Sequence, residues 1–233
     1  MTRALVVVAH PDDETLFFGG TIASRPEVQW EVACVTDGGP RAAERADELE
    51  RAAARLGVTR IHRLDLPDNP AQRLDLKVLV PRLRRLGDFD EIYTHGPLGD
   101  YGHPHHQDVC LAVHRAFAGH PGLWTIATGV LPERLVTLSP SAFAVKAEIM
   151  ASIYAHEHQR FLLVLPVTAS EGFVRVGTEE VEALHGYLSG GRRLARGRVA
   201  VYKDLVPMVE AGSVESSAHG FFAAYQYETV ERR

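Results

Sequence analysis

Near the N-terminus, Leu5 to Ala9 reads Leu-Val-Val-Val-Ala, with no polar residue at alternate positions. A strand with one wet face alternates apolar and polar side chains, so this run suits a strand buried on both faces of a parallel sheet. Parallel neighbours need crossover connections, and the rest of the chain supplies them. Thr15 to Ala23 is predicted as a helix despite the paired Gly19 and Gly20. Val28 to Thr36 is predicted as a strand, closed by the turn residues Asp37, Gly38 and Gly39. Arg41 to Leu56, rich in Ala, Glu and Arg, reads as a helix that Gly57 stops. A strand over Arg60 to Leu66, a helix over Leu74 to Leu86 with a kink at Pro81, and a strand over Glu91 to His95 follow. Next come a helix over Gln107 to Ala118 and a strand over Trp124 to Leu131. This alternation predicts right-handed βαβ units and an α/β class, a Rossmann-like, doubly wound, mostly parallel sheet.

Beyond Ser139 the pattern weakens: a helix over Ala142 to His156, strand-like pieces at Phe161 to Leu165 and Gly172 to Val176, a helix over Thr178 to Leu188, and a loop over Gly190 to Arg198. The expected organisation is one domain over 1–233, with an α/β core in 1–150 and an appended, variable part in 151–233. Hydrophobic residues at 45% and charged ones at 24% are ordinary globular proportions and exclude disorder, collagen-like repeats and a disulfide scaffold. A net charge of -5, without a long Lys/Arg cluster, argues against nucleic acid or an anionic membrane as partner. No apolar run approaches the roughly 18 residues of a membrane span, and the N-terminal one is too short for a signal-peptide core. A cytoplasmic protein is expected. Cys34 and Cys110 sit in apolar stretches and read as small buried hydrophobes with reduced thiols.

The chain holds 12 histidines, three of them packed into His103, His105 and His106. In open α/β sheets ligands bind beyond the carboxyl ends of the strands, and two unusual clusters fall at such ends. One is Ala9-His10-Pro11-Asp12-Asp13-Glu14, its turn stiffened by the fixed φ of Pro11. The other is Gly99-Asp100-Tyr101-Gly102-His103-Pro104-His105-His106, read as a glycine-flanked loop. Imidazole and carboxylate together suit zinc and similar divalent ions, and a catalytic site needs three protein ligands with one open position. One His and one Asp from the first cluster with one His from the second would supply them. A carboxylate left free could then take a proton from water, and a further His could stabilise the intermediate. Against this, Asp12 and Asp13 could simply cap a helix and complement its dipole. The scattered His62, His114, His120, His156, His158 and His185 read as surface or satisfied core residues.

These clusters resemble the two signatures of the PIG-L/LmbE family of zinc-dependent N-acetylglucosaminyl deacetylases. Residues 9 to 14 resemble its AHPDDE motif, and Gly102-His103-Pro104-His105-His106 its GHPDH block. Between them, Arg45-Ala46-Asp47-Glu48-Leu49 with Leu56-Gly57 resembles the RxxEL…LG helix, and Leu66-Pro67-Asp68-Asn69 a loop with a substrate-facing Asp. The resemblance implies that His10, Asp13 and His106 bind Zn2+, with Fe2+ the other divalent ion considered. It implies Asp12 as general base, His103 as the group that stabilises or protonates the tetrahedral intermediate, and Tyr101 as a contact to the reacting carbonyl. Arg45 and Asp68 match positions that hold the sugar or the group attached to it.

The resemblance further implies hydrolysis of an N-acetyl group from a small amino sugar or its conjugate, with a homo-oligomer compatible. Two alternatives stand beside it: an amidase of a sugar-linked thiol conjugate, and a catalytically weak member that only binds metal or sugar. One departure is plain, because His105 replaces the family's Asp. Imidazole in place of an anion near His103 is expected to lower the pKa of His103 and shift the pH optimum or slow turnover. Lys146 and the segment His156-Glu157-His158-Gln159 loosely resemble a later family helix, as Glu171 to Arg175 does a strand; core or surface roles are expected there. Tyr187, Tyr202, Phe221, Phe222 and Tyr225 could line a sugar pocket, although packing is the plainer expectation.

Overall fold

In the computed structural model, which describes residues 1–206 apart from 70, 162–166, 191 and 195, the N-terminal run forms β1 (Arg3–Val8). Its side chains divide between two cores. Ala4, Val6 and Val8 face one, with Phe18, Ile22, Trp30, Leu49 and Tyr93. Leu5, Val7 and Ala9 face the other, with Leu79, Leu83, Ile92, Val109 and Val113. Burial on both sides explains the unbroken apolar run, and each large apolar side chain so placed contributes about 1.5–3 kcal/mol.

The elements follow as α1 (Asp13–Ala23), β2 (Gln29–Thr36), α2 (Ala42–Leu56), β3 (Arg60–Leu66), α3 (Leu76–Arg84) and β4 (Glu91–Thr94). Then come α4 (Pro104–Ala116), β5 (Leu123–Ile126), β6 (Arg134–Thr137), α5 (Pro140–Ser152), α6 (Ala155–Phe161), β7 (Ser170–Val174) and α7 (Thr178–Leu188). The strands make one 7-stranded sheet in the order β3-β2-β1-β4-β5-β7-β6. Pairing is parallel from β3 to β5 and antiparallel where β7 joins β5 and β6. The fold is therefore α/β and mostly parallel, with strand β7, from beyond residue 151, built into the same sheet. Among the described residues no helix is long and apolar enough to cross a membrane.

Several boundaries differ from the expectation. The helix expected from Gln107 begins at Pro104, because the His103 imidazole caps it and proline is pre-organised for the first helical position. Strand β5 ends at Ile126 rather than Leu131: Ala127 N–H turns to Gly172 O at 3.0 Å, and Gly129 at φ 79 continues the turn. Pro81 lies inside α3, where it removes one backbone donor. Strand β6 was not anticipated. Phe161 closes α6 instead of opening a strand, and the remainder of that expected strand lies outside the described residues, as do Phe221, Phe222 and Tyr225. Arg196–Arg198 forms a short 3-10 turn within the expected loop. Gly20 has a reason to be glycine, since a Cβ there would lie 2.3 Å from the Leu138 side chain and 2.9 Å from Glu171 Oε1. Its N–H and that of Thr21 donate to the Glu171 carboxylate at 2.9 and 2.7 Å, and Lys146 Nζ reaches the same group at 2.7 Å.

Candidate metal centre

Strands β1 and β4 are parallel neighbours, with Val7 opposite Thr94, so the two histidine-bearing segments leave the sheet side by side. His10 N–H donates to Asp13 Oδ2 at 2.8 Å, which folds the first segment back on itself. In the second, Gly96 N–H donates to Asp100 Oδ1 at 3.0 Å and His103 N–H to Gly99 O at 2.9 Å, winding the chain into α4. Gly99 stands at φ 79, and a Cβ there would meet His103 O at 2.5 Å.

Three atoms converge between these segments. His10 Nδ1 lies 3.3 Å from Asp13 Oδ2 and 3.2 Å from His106 Nε2, and His106 Nε2 lies 3.4 Å from Asp13 Oδ2. A tetrahedral ion with bonds of about 2.0–2.1 Å spaces its ligands by about 3.3 Å, so the triangle has the edge length such an ion requires. Two of its corners, Asp13 Oδ2 and His106 Nε2, offer lone pairs. Asp100 Oδ2 accepts the His106 Nδ1 proton at 2.8 Å, which leaves His106 Nε2 bare. The same oxygen accepts from His95 Nδ1 at 2.6 Å. A carboxylate behind a ligating imidazole fixes its tautomer and raises its basicity. Burial disfavours a charged His10, but Asp13 and Asp68 outweigh it and lift its pKa to about 10. Burial alone would raise the Asp13 carboxyl, yet His106, His95 and His10 hold it well below the usual range. The donor set thus fits a divalent cation of the zinc class.

Neighbouring groups are placed differently. His95 and His103 also bring nitrogens within 4.8 Å of ligand atoms. His95 Nε2, however, accepts the Ala9 N–H at 2.9 Å, so it has no lone pair to offer. His103 Nδ1 accepts the His105 N–H at 3.2 Å, which puts its proton on Nε2. Burial holds the His103 pKa well below 6.5, followed by the nearby His10, His106 and His105. The expected influence of His105 on His103 has the anticipated direction but comes behind burial and two other rings. Tyr101 packs with its ring 5.9 Å from His103 and 5.2 Å from His106.

Asp12 makes no capping hydrogen bond and adopts φ 118, a conformation that L residues rarely take. Its N–H donates to Glu14 Oε2 at 3.0 Å, and its Oδ2 lies 3.4 Å from the Arg45 guanidinium. Burial raises the Asp12 pKa well above the usual value, with Arg45 opposing. Glu14 is held in turn by Thr15 and Tyr154, whose hydroxyls donate at 2.6 and 2.9 Å. Arg45 is buried, donates to Pro11 O and stands 3.9 Å from Asp68. In this structure it faces Asp12 and Asp68. Asp68 is the more accessible, at 15% side-chain exposure.

Sequence reasoning gave no role to His95, Asp100, Glu14 or Tyr154. The available signal was position: His95 ends a buried strand, Asp100 opens the His-rich segment, and Glu14 is the last acid of the first cluster. Tyr154 had none. Lys146, expected to be core or surface, is fully buried and paired with Glu171. Tyr202 is buried in a core cluster with Val181 and Leu184, in keeping with packing.

Comparison with known proteins follows the same lines. The fold is similar to N,N'-diacetylchitobiose deacetylase from Pyrococcus horikoshii, with a TM-score of 0.54 at 22% identity over 76% of this chain and 84% of that one. It is similar to a conserved protein from Thermus thermophilus, with a TM-score of 0.52 at 24% identity over 75% and 94%. It is also similar to a deacetylase of the teicoplanin biosynthesis pathway, with a TM-score of 0.56 at 15% identity over 75% and 99%. Residues 5–117, which hold both histidine-bearing segments, match the profile described as PIG-L: GlcNAc-PI de-N-acetylase.

Proposed function

We propose that the protein is a metal-dependent N-deacetylase that releases acetate from an N-acetylated amino sugar or its conjugate. His10, Asp13 and His106 are the proposed ligands, with Zn2+ as the cation and Fe2+ as the alternative. The observation that carries this reading is a triangle of three converging ligand atoms beside Asp12, whose carboxylate Arg45 faces and whose backbone N–H Glu14 holds. The family match and the deacetylases that share the fold support the same reaction. A cation bound there lowers the pKa of its water to about 7 and polarises a carbonyl.

The chain's own groups then have distinct tasks. Asp12, made more basic than an exposed Asp by burial, takes a proton from the attacking water. His103 directs its Nε2 proton to the oxygen that gains charge, with Tyr101 beside it. The C–N bond breaks, the proton on Asp12 passes to the amine, and the oxygen of water leaves in acetate. Arg45 orients Asp12, and Asp68, the more exposed of the two, meets the sugar. An Asp12→Asn variant should keep its metal and lose about 10²–10⁴-fold in kcat. Metal analysis beside acetate release from a panel of N-acetylated sugars measures both. Activity surviving in Asp12→Asn would overturn the assignment, and a loaded protein that releases acetate from no sugar would favour binding without turnover.

A further inference from the structure

Besides its influence on His103, His105 makes a separate set of contacts. Its Nε2 faces Gln72 O at 2.9 Å and Asn69 O at 3.1 Å. Only a protonated Nε2 suits two carbonyls, so Nδ1 is bare. That bare nitrogen lies 3.2 Å from His10 Nε2 and 3.4 Å from Asp68 Oδ1, and His10 Nε2 lies 3.5 Å from Asp68 Oδ1. One proton on His10 Nε2 can serve His105 or Asp68 but not both, which leaves two lone pairs facing each other. We infer that His10, Asp68 and His105 form a second divalent-cation site, joined to the first through the two nitrogens of the His10 ring. A second cation displaces the His10 Nε2 proton to solvent. The edges of this triangle match those of the first, and its imidazole and carboxylate donors select the same zinc-like class. His105 is fully buried, whereas the partly exposed Asp68 gives a cation a route in. With Asp at position 105 the bare imidazole nitrogen that completes this triangle would be lost. The inference goes beyond the proposed reaction and does not require it, although the two centres share His10.

Zn2+ binding to the metal-stripped chain, followed by equilibrium dialysis, tests the idea. Wild type should bind two equivalents, whereas Asp68→Asn and His105→Gln should each bind one. Asp13→Asn, which spares the second triangle, should also bind one. Asp68→Asn is close to isosteric and partly exposed, so it carries the test if His105→Gln fails to fold; thermal melts show which variants are folded. X-ray absorption of the doubly loaded wild type should show scattering between two cations across an imidazole ring. A single equivalent in wild type, two equivalents retained in Asp68→Asn, or no such scattering would overturn the second site. One equivalent lost in Asp68→Asn but none in Asp13→Asn would support it and overturn the ligand set proposed for the first.

Discussion

Asp100 shows how much one side chain can organise without being a ligand. A single oxygen accepts from both His95 and His106, and the other accepts a backbone N–H, so both oxygens of the carboxylate are engaged. Against burial, which would raise it, His95 and His106 lower its pKa. An Asp100→Asn variant loses that charge and permits the His106 proton to move to the nitrogen that faces the triangle. The expected outcome is metal affinity weakened by about 10–100-fold with the fold intact, measured by competition against a chromophoric chelator. Unchanged affinity would show that Asp100 does not set the His106 tautomer. At this scale residue type signalled the chemistry, a His and an Asp of the first cluster with a His of the second, whereas the choice of Asp13 and His106 among them came from the resemblance alone. The sequence was silent at His95 and Asp100, whose meaning lies in a hydrogen bond between a strand end and a turn at φ 61.

Helix α1 carries the acidic turn at its N-terminus, and Glu171 of β7, paired with Lys146 of α5, holds its C-terminal part. The pair is buried, yet Glu171 also accepts two backbone N–H groups, so removing Lys146 leaves a charged, partly satisfied group inside the protein. Lys146→Met is expected to cost about 3–5 kcal/mol in urea-induced unfolding, and the double change Lys146→Met with Glu171→Gln appreciably less. Equal losses in the two would argue against an uncompensated charge. Elements of this kind divide by legibility. Strands β1 and β2 and helix α2 announce themselves through apolar runs, an amphipathic pattern and a Gly57 stop at φ 81. Strand β6 does not: it has four residues at the sheet edge, partly exposed or exposed throughout, with an ordinary polar alternation. The start of α4 was hidden because imidazole is an unusual capping group.

Across the whole molecule, pH acts through histidines far from the centre as well as those within it. His114 joins α4 to the segment after β7: its Nδ1 faces Cys110 O at 2.8 Å and its Nε2 faces Val176 O at 3.2 Å. Burial lowers its pKa below the ordinary value of 6.5, with the two carbonyls opposing. Above both pKa values the ring is neutral folded and unfolded, and stability does not respond. As pH falls below about 6.5 the unfolded chain takes the proton first, so stability declines by up to about 1.4 kcal/mol per pH unit until the folded pKa is reached. Urea unfolding of wild type and His114→Gln between pH 5 and 7.5 should show a shallower decline in the variant; parallel curves would contradict this.

The order of strands has a mechanical consequence. His10 and His106 are 96 residues apart in the chain, and only the pairing of β1 with β4 brings them together. A cation gripping both ties that span into a closed loop, much as a disulfide would, and a cross-link of about 100 residues removes about 4.7 kcal/mol of freedom from the unfolded chain. Unlike a disulfide, this staple comes out with a chelator, so the fold's resistance to unfolding would rise and fall with the supply of metal.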